Sequence, residues 1–111
     1  MTQAVQTTDL SKKTNNSDSK PLLKLRDSID ELDKEIANLL KRRFKLSEEV
    51  ASVKAKNKNL PLRDPVRETE ILKNLEDPDL SQEQNKLLAE IFKKILETSR
   101  QIQILVSSEI V

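Results

Sequence analysis

Several charged and polar side chains fall where the helical pattern of this sequence would place apolar residues. In the segment Leu22 to Lys56, apolar residues recur at alternating steps of three and four, as one buried helical face requires. At one step of this stripe, the chain has Arg43 instead. A guanidinium group on a buried face is costly unless it is paired. Arg43 therefore predicts a partner, either a carboxylate of the protein or an anionic ligand.

The spacing of two further cations on the same predicted helix shows which of them could bind the same ligand as Arg43. Lys54 follows Arg43 by 11 residues, which is three turns and about 16 Å along nearly the same side, so the two can bracket a small anion. Arg26 precedes Arg43 by 17 residues, about 25 Å away, and cannot easily join that site within one chain. In an antiparallel dimer of long helices, Arg26 of the partner subunit could do so. Two-fold symmetry would then create two equal sites.

Other polar residues lie beside faces that are expected to be buried. Each has an ordinary explanation, such as a helix cap, a first-turn charge or a tolerated polar position near a helix end. Periodicity alone therefore predicts a polar cavity in a helical dimer and little more. These residues are Asp64, Arg67 and Glu68 around the start of the second helix, and Ser99 and Gln103 on the third.

The cations also have simpler explanations when each is taken alone. Arg43 could form an internal ion pair with Glu48, Glu68 or Glu97. Lys54 could be a solvated surface lysine. The basic run at positions 41–45 could suggest nucleic-acid binding, but the formal net charge is only +1 and no aromatic residues are interleaved in the manner of a base-stacking surface.

Composition limits the classes of fold and chemistry. The 111 residues allow one domain, and 35% charged with 2% aromatic residues favour an all-α fold with solvated helix faces. The chain has no Cys, His or Gly, which excludes thiolate nucleophiles, the usual general base and glycine-rich nucleotide loops. An enzyme of this composition would work through charge placement and hydrogen bonds. We expect no cofactor and no metal.

Three helices are predicted: long, short and medium. Residues 1–20 are polar without a sustained period, which predicts a disordered or loosely attached tail before a domain over residues 21–111. Pro21 suits the first turn of a helix of about 35 residues, too long for one small chain to cover, which indicates a partner chain. Asp64 and Pro65 predict the start of the short helix, expected to end near Glu76 to Pro78.

A local capping pattern predicts where the third helix begins. Ser81 with Gln84 matches a capping box, so the third helix should start there.

The sequence has no apolar run near the ~20 residues of a membrane span and no apolar signal segment at its start. We therefore expect a cytoplasmic protein.

The order and spacing of these residues resemble the all-helical chorismate mutase family. The similarity covers roughly residues 22–105 and joins an Arg opening the first helix, an Arg pair 16 and 17 residues later, a Lys 11 further on, a D-x-x-R-E box and a late S-x-x-x-Q. The resemblance implies an isomerase that converts chorismate to prephenate in aromatic amino acid biosynthesis (the shikimate pathway). It also implies an intertwined helical homodimer with two active sites. The segments that carry it are LRDSIDELDKEIANLLKRR, VKAK, LPLRDPVRE and IFKKILETSRQIQ.

The resemblance also implies roles for the polar residues. Arg43 and Arg26 of the partner subunit would hold the two substrate carboxylates. Lys54, which would also lie near a carboxylate, and Gln103 would donate to the ether oxygen. The remaining roles are binding of the ring hydroxyl by Glu68 and the helix start at Asp64, contact with the ring carboxylate by Ser99, and support of neighbouring groups by Arg67.

Two rival functions remain at this level. A lyase that removes pyruvate from isochorismate uses a similar fold and a lysine-containing pocket, although the full D-x-x-R-E box favours the mutase. A non-catalytic helical dimer or interaction module would make Arg43 purely structural.

Some relatives have Glu where this chain has Gln103. Because Gln103 is a neutral amide donor, we expect the activity to hold through neutral and mildly alkaline pH.

Overall fold

The computed structural model describes residues 19–110, which form three α-helices: α1 (Ser19–Lys56), α2 (Pro65–Asn74) and α3 (Gln82–Ile110). The predicted all-α order of long, short and medium helix is confirmed. These residues fall into two compact units, one ending at Leu40 and one beginning at Lys41. The first contains the N-terminal part of α1. The second contains the rest of α1 together with α2 and α3.

Helix α1 begins two residues earlier than the sequence pattern suggests. Ser19 and Lys20 are helical, and Pro21 lies in the first turn, where its missing N–H has no intrahelical partner to lose. The rest of the predicted tail, residues 1–18, lies outside the described residues. The division into a tail and a domain over residues 21–111 stays a prediction.

The apolar stripe of α1 is largely uncovered within one chain. In the N-terminal unit, every stripe residue from Leu25 to Leu39 is more than half exposed. In the C-terminal unit, Leu46 and Val53 are also more than half exposed. Rows of exposed Leu, Ile and Val residues such as these are unusual on a monomeric protein, and large exposed apolar patches are typical of interaction surfaces.

Helix α2 begins as its sequence predicts and ends slightly earlier. The Asp64 carboxylate accepts a hydrogen bond from the Arg67 backbone N–H at 3.0 Å, and Pro65 is the first helical residue. The helix ends at Asn74, and the Leu75 N–H closes the last turn on the Leu72 carbonyl. The end therefore precedes the expected one near Glu76.

The turn after α2 is held by side chains. The Asn85 side chain accepts from the Asp77 N–H and donates to the Asp77 carbonyl, both at 2.9 Å. Helix α3 follows with the predicted capping box: the Gln84 N–H donates to Ser81 Oγ at 3.0 Å, and the Ser81 N–H donates to Gln84 Oε1 at 3.2 Å. The start of α3 is thus confirmed.

The interior of the C-terminal unit is small and largely polar. Among the described residues, Ala51 and Leu96 are the buried apolar side chains, whereas Ser47, Ser99 and Gln103 are buried polar ones. Buried polar groups require hydrogen-bond partners. Among the described residues, a polar cluster therefore occupies more of the interior than a hydrophobic core does. None of the three helices is long and apolar enough to cross a membrane.

Candidate active site

The three helices of the C-terminal unit line one cavity of about 510 Å³. This volume is within the range of pockets that hold small molecules. All of its lining residues come from the unit that begins at Lys41, so the cavity is formed within that unit. Its polar and charged lining residues are Arg43, Ser47 and Lys54 from α1, Asp64, Arg67 and Glu68 from the start of α2, and Ser99, Arg100 and Gln103 from α3.

Helical spacing explains why the α1 and α3 residues face the same space. Arg43, Ser47 and Lys54 are separated by four and seven residues, so they share one side of α1. On α3, Ser99 and Gln103 are one turn apart and are both buried. Hydrogen bonds join α1 to α3 at two levels along the helices, one at Ser99 and one at Gln103. The sequence thus sets polar residues opposite each other on neighbouring helices.

At the first level, Ser99 accepts hydrogen bonds from two side chains of α1. Arg43 Nη1 donates to Ser99 Oγ, and Ser47 Oγ donates to the same atom at 3.0 Å. A guanidinium has donors only, so Ser99 must be the acceptor of the Arg43 bond. With its lone pairs engaged, the Ser99 hydroxyl keeps its own proton to donate to a group in the cavity.

At the second level, Lys54 orients Gln103. Lys54 Nζ donates to the Leu62 carbonyl at 2.8 Å and to Gln103 Oε1 at 3.1 Å. Because an ammonium group cannot accept, the carbonyl end of the Gln103 side chain faces Lys54. The amide N–H groups of Gln103 are then available to an acceptor in the cavity. The ordinary interpretation of Lys54 as a solvated surface residue does not fit its half-buried position and its two partners.

Arg43 has no carboxylate partner among the side chains of residues 19–108. The ion pairs there are Arg63–Glu68, Arg100–Glu68 and Lys94–Glu97. Glu97, one candidate partner, instead accepts from Lys94 at 2.9 Å, and this hydrogen bond lowers the pKa of Glu97 below its ordinary value. The alternative interpretation of Arg43 as a member of an ion pair with Glu48, Glu68 or Glu97 is therefore not supported by the structure. Its observed partner is a neutral hydroxyl, which leaves the charge of Arg43 uncompensated.

The start of α2 supplies the acidic side of the cavity. Asp64 caps the helix and lines the cavity as well. Glu68, in the first turn, is bound by Arg100 Nη1 at one carboxylate oxygen and by Arg63 Nε at 3.4 Å at the other. Its side chain is only 16% exposed. The carboxylate is therefore held in place at the cavity wall.

Positive charge exceeds negative charge around the cavity. Its lining contains two carboxylates and four cations, an excess of two. Such a surface favours an anionic ligand, and more strongly in a partly water-excluded site than in bulk water. The four cations are Arg43, Lys54, Arg67 and Arg100.

Most of the residues singled out from the sequence meet at this cavity. Arg43, Lys54, Asp64, Arg67, Glu68, Ser99 and Gln103 all line it. Arg26 does not; it lies in the N-terminal unit. Ser47 and Arg100 also line the cavity but were not predicted from the sequence. Ser47 had a signal, because it follows Arg43 by one turn. Arg100 had none, because an arginine beside Ser99 looks like a surface charge until its partner on α2 is known.

A larger cavity of about 850 Å³ lies at the turn between α2 and α3. Its charged lining residues are Lys73, Lys86, Glu76 and Asp77, whose charges cancel. They are exposed side chains. Unlike the smaller cavity, this one therefore has no excess charge in its lining that would favour a charged ligand. The described part of the chain also has no group of three or more His, Cys, Asp or Glu residues that could hold a metal ion.

Most of the sequence is similar to a known protein family. Residues 25–104 match the model of the family described as chorismate mutase type II. A curated relative, the bifunctional chorismate mutase/prephenate dehydratase of Buchnera aphidicola subsp. Baizongia pistaciae (strain Bp), is 50% identical over 54 residues. That alignment covers 49% of this chain but 14% of the relative, so the chain spans a small part of that protein's length. Because the family match extends over most of the chain and includes every element that lines the cavity, the chain belongs to the chorismate mutase type II family.

Proposed function

We propose that this chain catalyses the rearrangement of chorismate to prephenate in the cavity of its C-terminal unit. Its family is one of chorismate mutases, which are isomerases of aromatic amino acid biosynthesis. The observation that carries the proposal is the charge of Arg43, which is bound to the buried hydroxyl of Ser99 and to no carboxylate among the side chains of residues 19–108, in a cavity whose lining has two excess positive charges. Chorismate carries two carboxylates, which would offset this excess.

The proposed mechanism restricts the shape of the substrate. The rearrangement requires chorismate, a flexible dianion, to adopt a compact chair-like conformer, and holding it there lowers the barrier through proximity and orientation. Arg43 suits one carboxylate because the guanidinium fork is planar and permanently charged. Ser99 accepts hydrogen bonds from Arg43 and Ser47, and its own hydroxyl proton would contact the ring carboxylate.

The second part of the mechanism concerns the ether oxygen. Partial negative charge develops on this atom as its C–O bond breaks, and preorganised donors stabilise that charge most in the transition state. Lys54 and Gln103 are in contact at 3.1 Å, and both have donors available beyond that contact. We assign both to the ether oxygen, with Lys54 also near a substrate carboxylate. No nucleophile or general base is needed for this step.

The acidic side of the cavity would bind the ring hydroxyl. Glu68 is held at the wall by two arginines and keeps free lone pairs for a hydroxyl donor. The start of α2 at Asp64 would contribute to the same subsite. Arg67 would support neighbouring groups, since it lies in the first turn of α2 and lines the cavity without an ion pair to any other side chain of residues 19–108.

The functional unit is proposed to be an intertwined homodimer. The exposed apolar stripe of α1 supports this, because burying a half-exposed Leu or Ile side chain contributes roughly 1 kcal/mol. The second substrate carboxylate would be bound by Arg26 of the partner subunit, with two equal sites related by the two-fold axis. One chain alone would then lack a donor that the site requires.

A product assay with two substrates tests the proposed reaction against its nearest rival. Purified protein is incubated separately with chorismate and with isochorismate, and products are identified by NMR. We expect prephenate from chorismate at catalytic protein concentrations. Pyruvate release from isochorismate without prephenate formation would assign the chain as the lyase. The absence of turnover with both substrates would favour a non-catalytic helical dimer.

A further inference from the structure

Two arginines that differ in their exposure to solvent form ion pairs with Glu68. Arg63 lies in the connection before α2, and its side chain is 62% exposed. Arg100 lies on α3 next to Ser99, and its side chain is 26% exposed. Solvent screens the first pair, so it fixes Glu68 weakly. The second pair joins α2 to α3 with less screening, which makes Arg100 the principal partner of Glu68.

Arg100 also lies between two spaces. It lines the main cavity together with Arg43 and Gln103, and it lines a smaller neighbouring cavity of about 320 Å³ with Arg63 and Lys93. Its guanidinium reaches the Glu68 carboxylate from the α3 side. The carboxylate is therefore held between α3 and the loop before α2, and its remaining lone pairs can serve a ligand.

The charge of Glu68 makes this contact important for an anionic substrate. An unpaired carboxylate at the cavity wall would repel the carboxylates of chorismate, because like charges in a partly buried site interact strongly. Pairing with Arg100 offsets that charge without removing the ability of Glu68 to accept a hydrogen bond. A neutralised acceptor can bind a hydroxyl beside a dianion.

We propose that Arg100 is a positioning residue for Glu68, holding the carboxylate at the cavity wall and offsetting its charge so that it accepts a hydrogen bond from the substrate's ring hydroxyl. This inference rests on the proposed function. Arg100 acts through Glu68 and needs no contact with the substrate. Its effect should therefore disappear when Glu68 loses its charge.

A double-mutant cycle in the full chain tests this dependence. Arg100→Met should lower kcat/KM for chorismate roughly tenfold, the loss expected when a hydrogen bond to a charged group is weakened. Most of the loss should appear in KM, because repulsion acts on bound substrate and transition state alike. Arg100→Lys, which keeps the charge, should recover most of the activity. In a Glu68→Gln background, Arg100→Met should cost little more.

The control is Arg42→Met, the same chemical change at an exposed arginine of α1, which should leave kcat/KM within about twofold. Thermal unfolding is measured for every variant, and Arg100→Gln replaces the Met variant if that one is poorly folded. A full loss that persists in the Glu68→Gln background would overturn the inference, as would an Arg100→Met variant that behaves like the control. Failure of the wild-type protein to convert chorismate would instead contradict the proposed function.

Discussion

At the scale of single residues, the cavity depends on side chains whose hydrogen-bonding direction is fixed. Arg43 and Lys54 can only donate, so they determine how Ser99 and Gln103 are oriented. These contacts leave the Ser99 hydroxyl and the Gln103 amide with donors of their own for a group in the cavity. Such preorganised donors cost little reorganisation when charge develops on a substrate.

Gln103 gives a prediction about pH. A neutral amide donates at any ordinary pH, so wild-type activity should hold through neutral and mildly alkaline conditions. In Gln103→Glu, the introduced carboxyl can donate only when protonated, so activity should fall as pH rises through its pKa. The measurement is kcat/KM for chorismate from pH 5 to pH 9, values chosen to span about two units on either side of neutrality.

Gln101→Glu is the matched control for this profile, because Gln101 is exposed on the same helix. It should retain the wild-type pH dependence. A flat profile for Gln103→Glu would show that Gln103 does not donate to the reacting oxygen. A steep loss in the wild-type protein between neutral and mildly alkaline pH would count against the same assignment.

Part of this residue-scale arrangement was predictable from sequence. Arg43 interrupts an apolar stripe, and that mismatch alone indicated a partner. Which partner it has was not predictable, because three carboxylates were equally eligible and the observed one is the hydroxyl of Ser99. Pairings between residues far apart in sequence, such as Arg100 with Glu68, depend on how α2 and α3 pack. Helical periodicity carries no information about that packing.

At the scale of helices, local signals fix the starts better than the ends. Asp64 with Pro65 and Ser81 with Gln84 predicted the starts of α2 and α3, because capping is a local interaction within four residues. The end of α2 was placed too late. The helix is followed by a turn in which the Asn85 side chain, eight residues further along the chain, binds the backbone of Asp77, and such a contact is not visible in a local sequence pattern.

The capping box of α3 should contribute measurably to stability. Ser81→Ala removes the acceptor for the Gln84 N–H and should lower the free energy of unfolding by about 1 kcal/mol. The measurement is urea unfolding followed by circular dichroism. Ser108→Ala serves as control, because that exposed hydroxyl bonds only to a carbonyl of its own helix at 3.0 Å. Equal stability of the two variants would contradict the assigned role of the cap.

At the scale of the whole molecule, the exposed apolar stripe of α1 is the surface that the proposed dimer would bury. The resemblance to the chorismate mutases, predicted from sequence, is confirmed by the family match. The dimer and the cytoplasmic location stay predictions.

Complementation between inactive variants tests the shared site. Arg26→Ala and Arg43→Ala should each be nearly inactive, because each removes one carboxylate-binding arginine from both sites of the dimer. Unfolding and refolding the two together should form mixed dimers in which one site keeps both arginines. Random pairing makes half of the dimers mixed, so about a quarter of the sites should regain activity.

The comparison sample for complementation contains the same two variants refolded separately and mixed afterwards on ice, where exchange of subunits is slow. It should stay inactive. Sedimentation should give twice the mass of the chain for all samples. Activity that does not return after joint refolding, in samples that sediment as dimers, would show that Arg26 does not serve the partner's site.

The most direct test of the central claim is the rate of prephenate formation by wild-type protein and by Arg43→Ala, followed by the ultraviolet absorbance of chorismate. Loss of one preorganised donor should lower kcat/KM by at least about a hundredfold, with the helical circular dichroism unchanged. Arg42→Ala, at the adjacent exposed arginine, should stay near the wild-type rate. An Arg43→Ala protein that keeps its activity, or one that loses it only because it unfolds, would contradict the role of Arg43 in binding substrate.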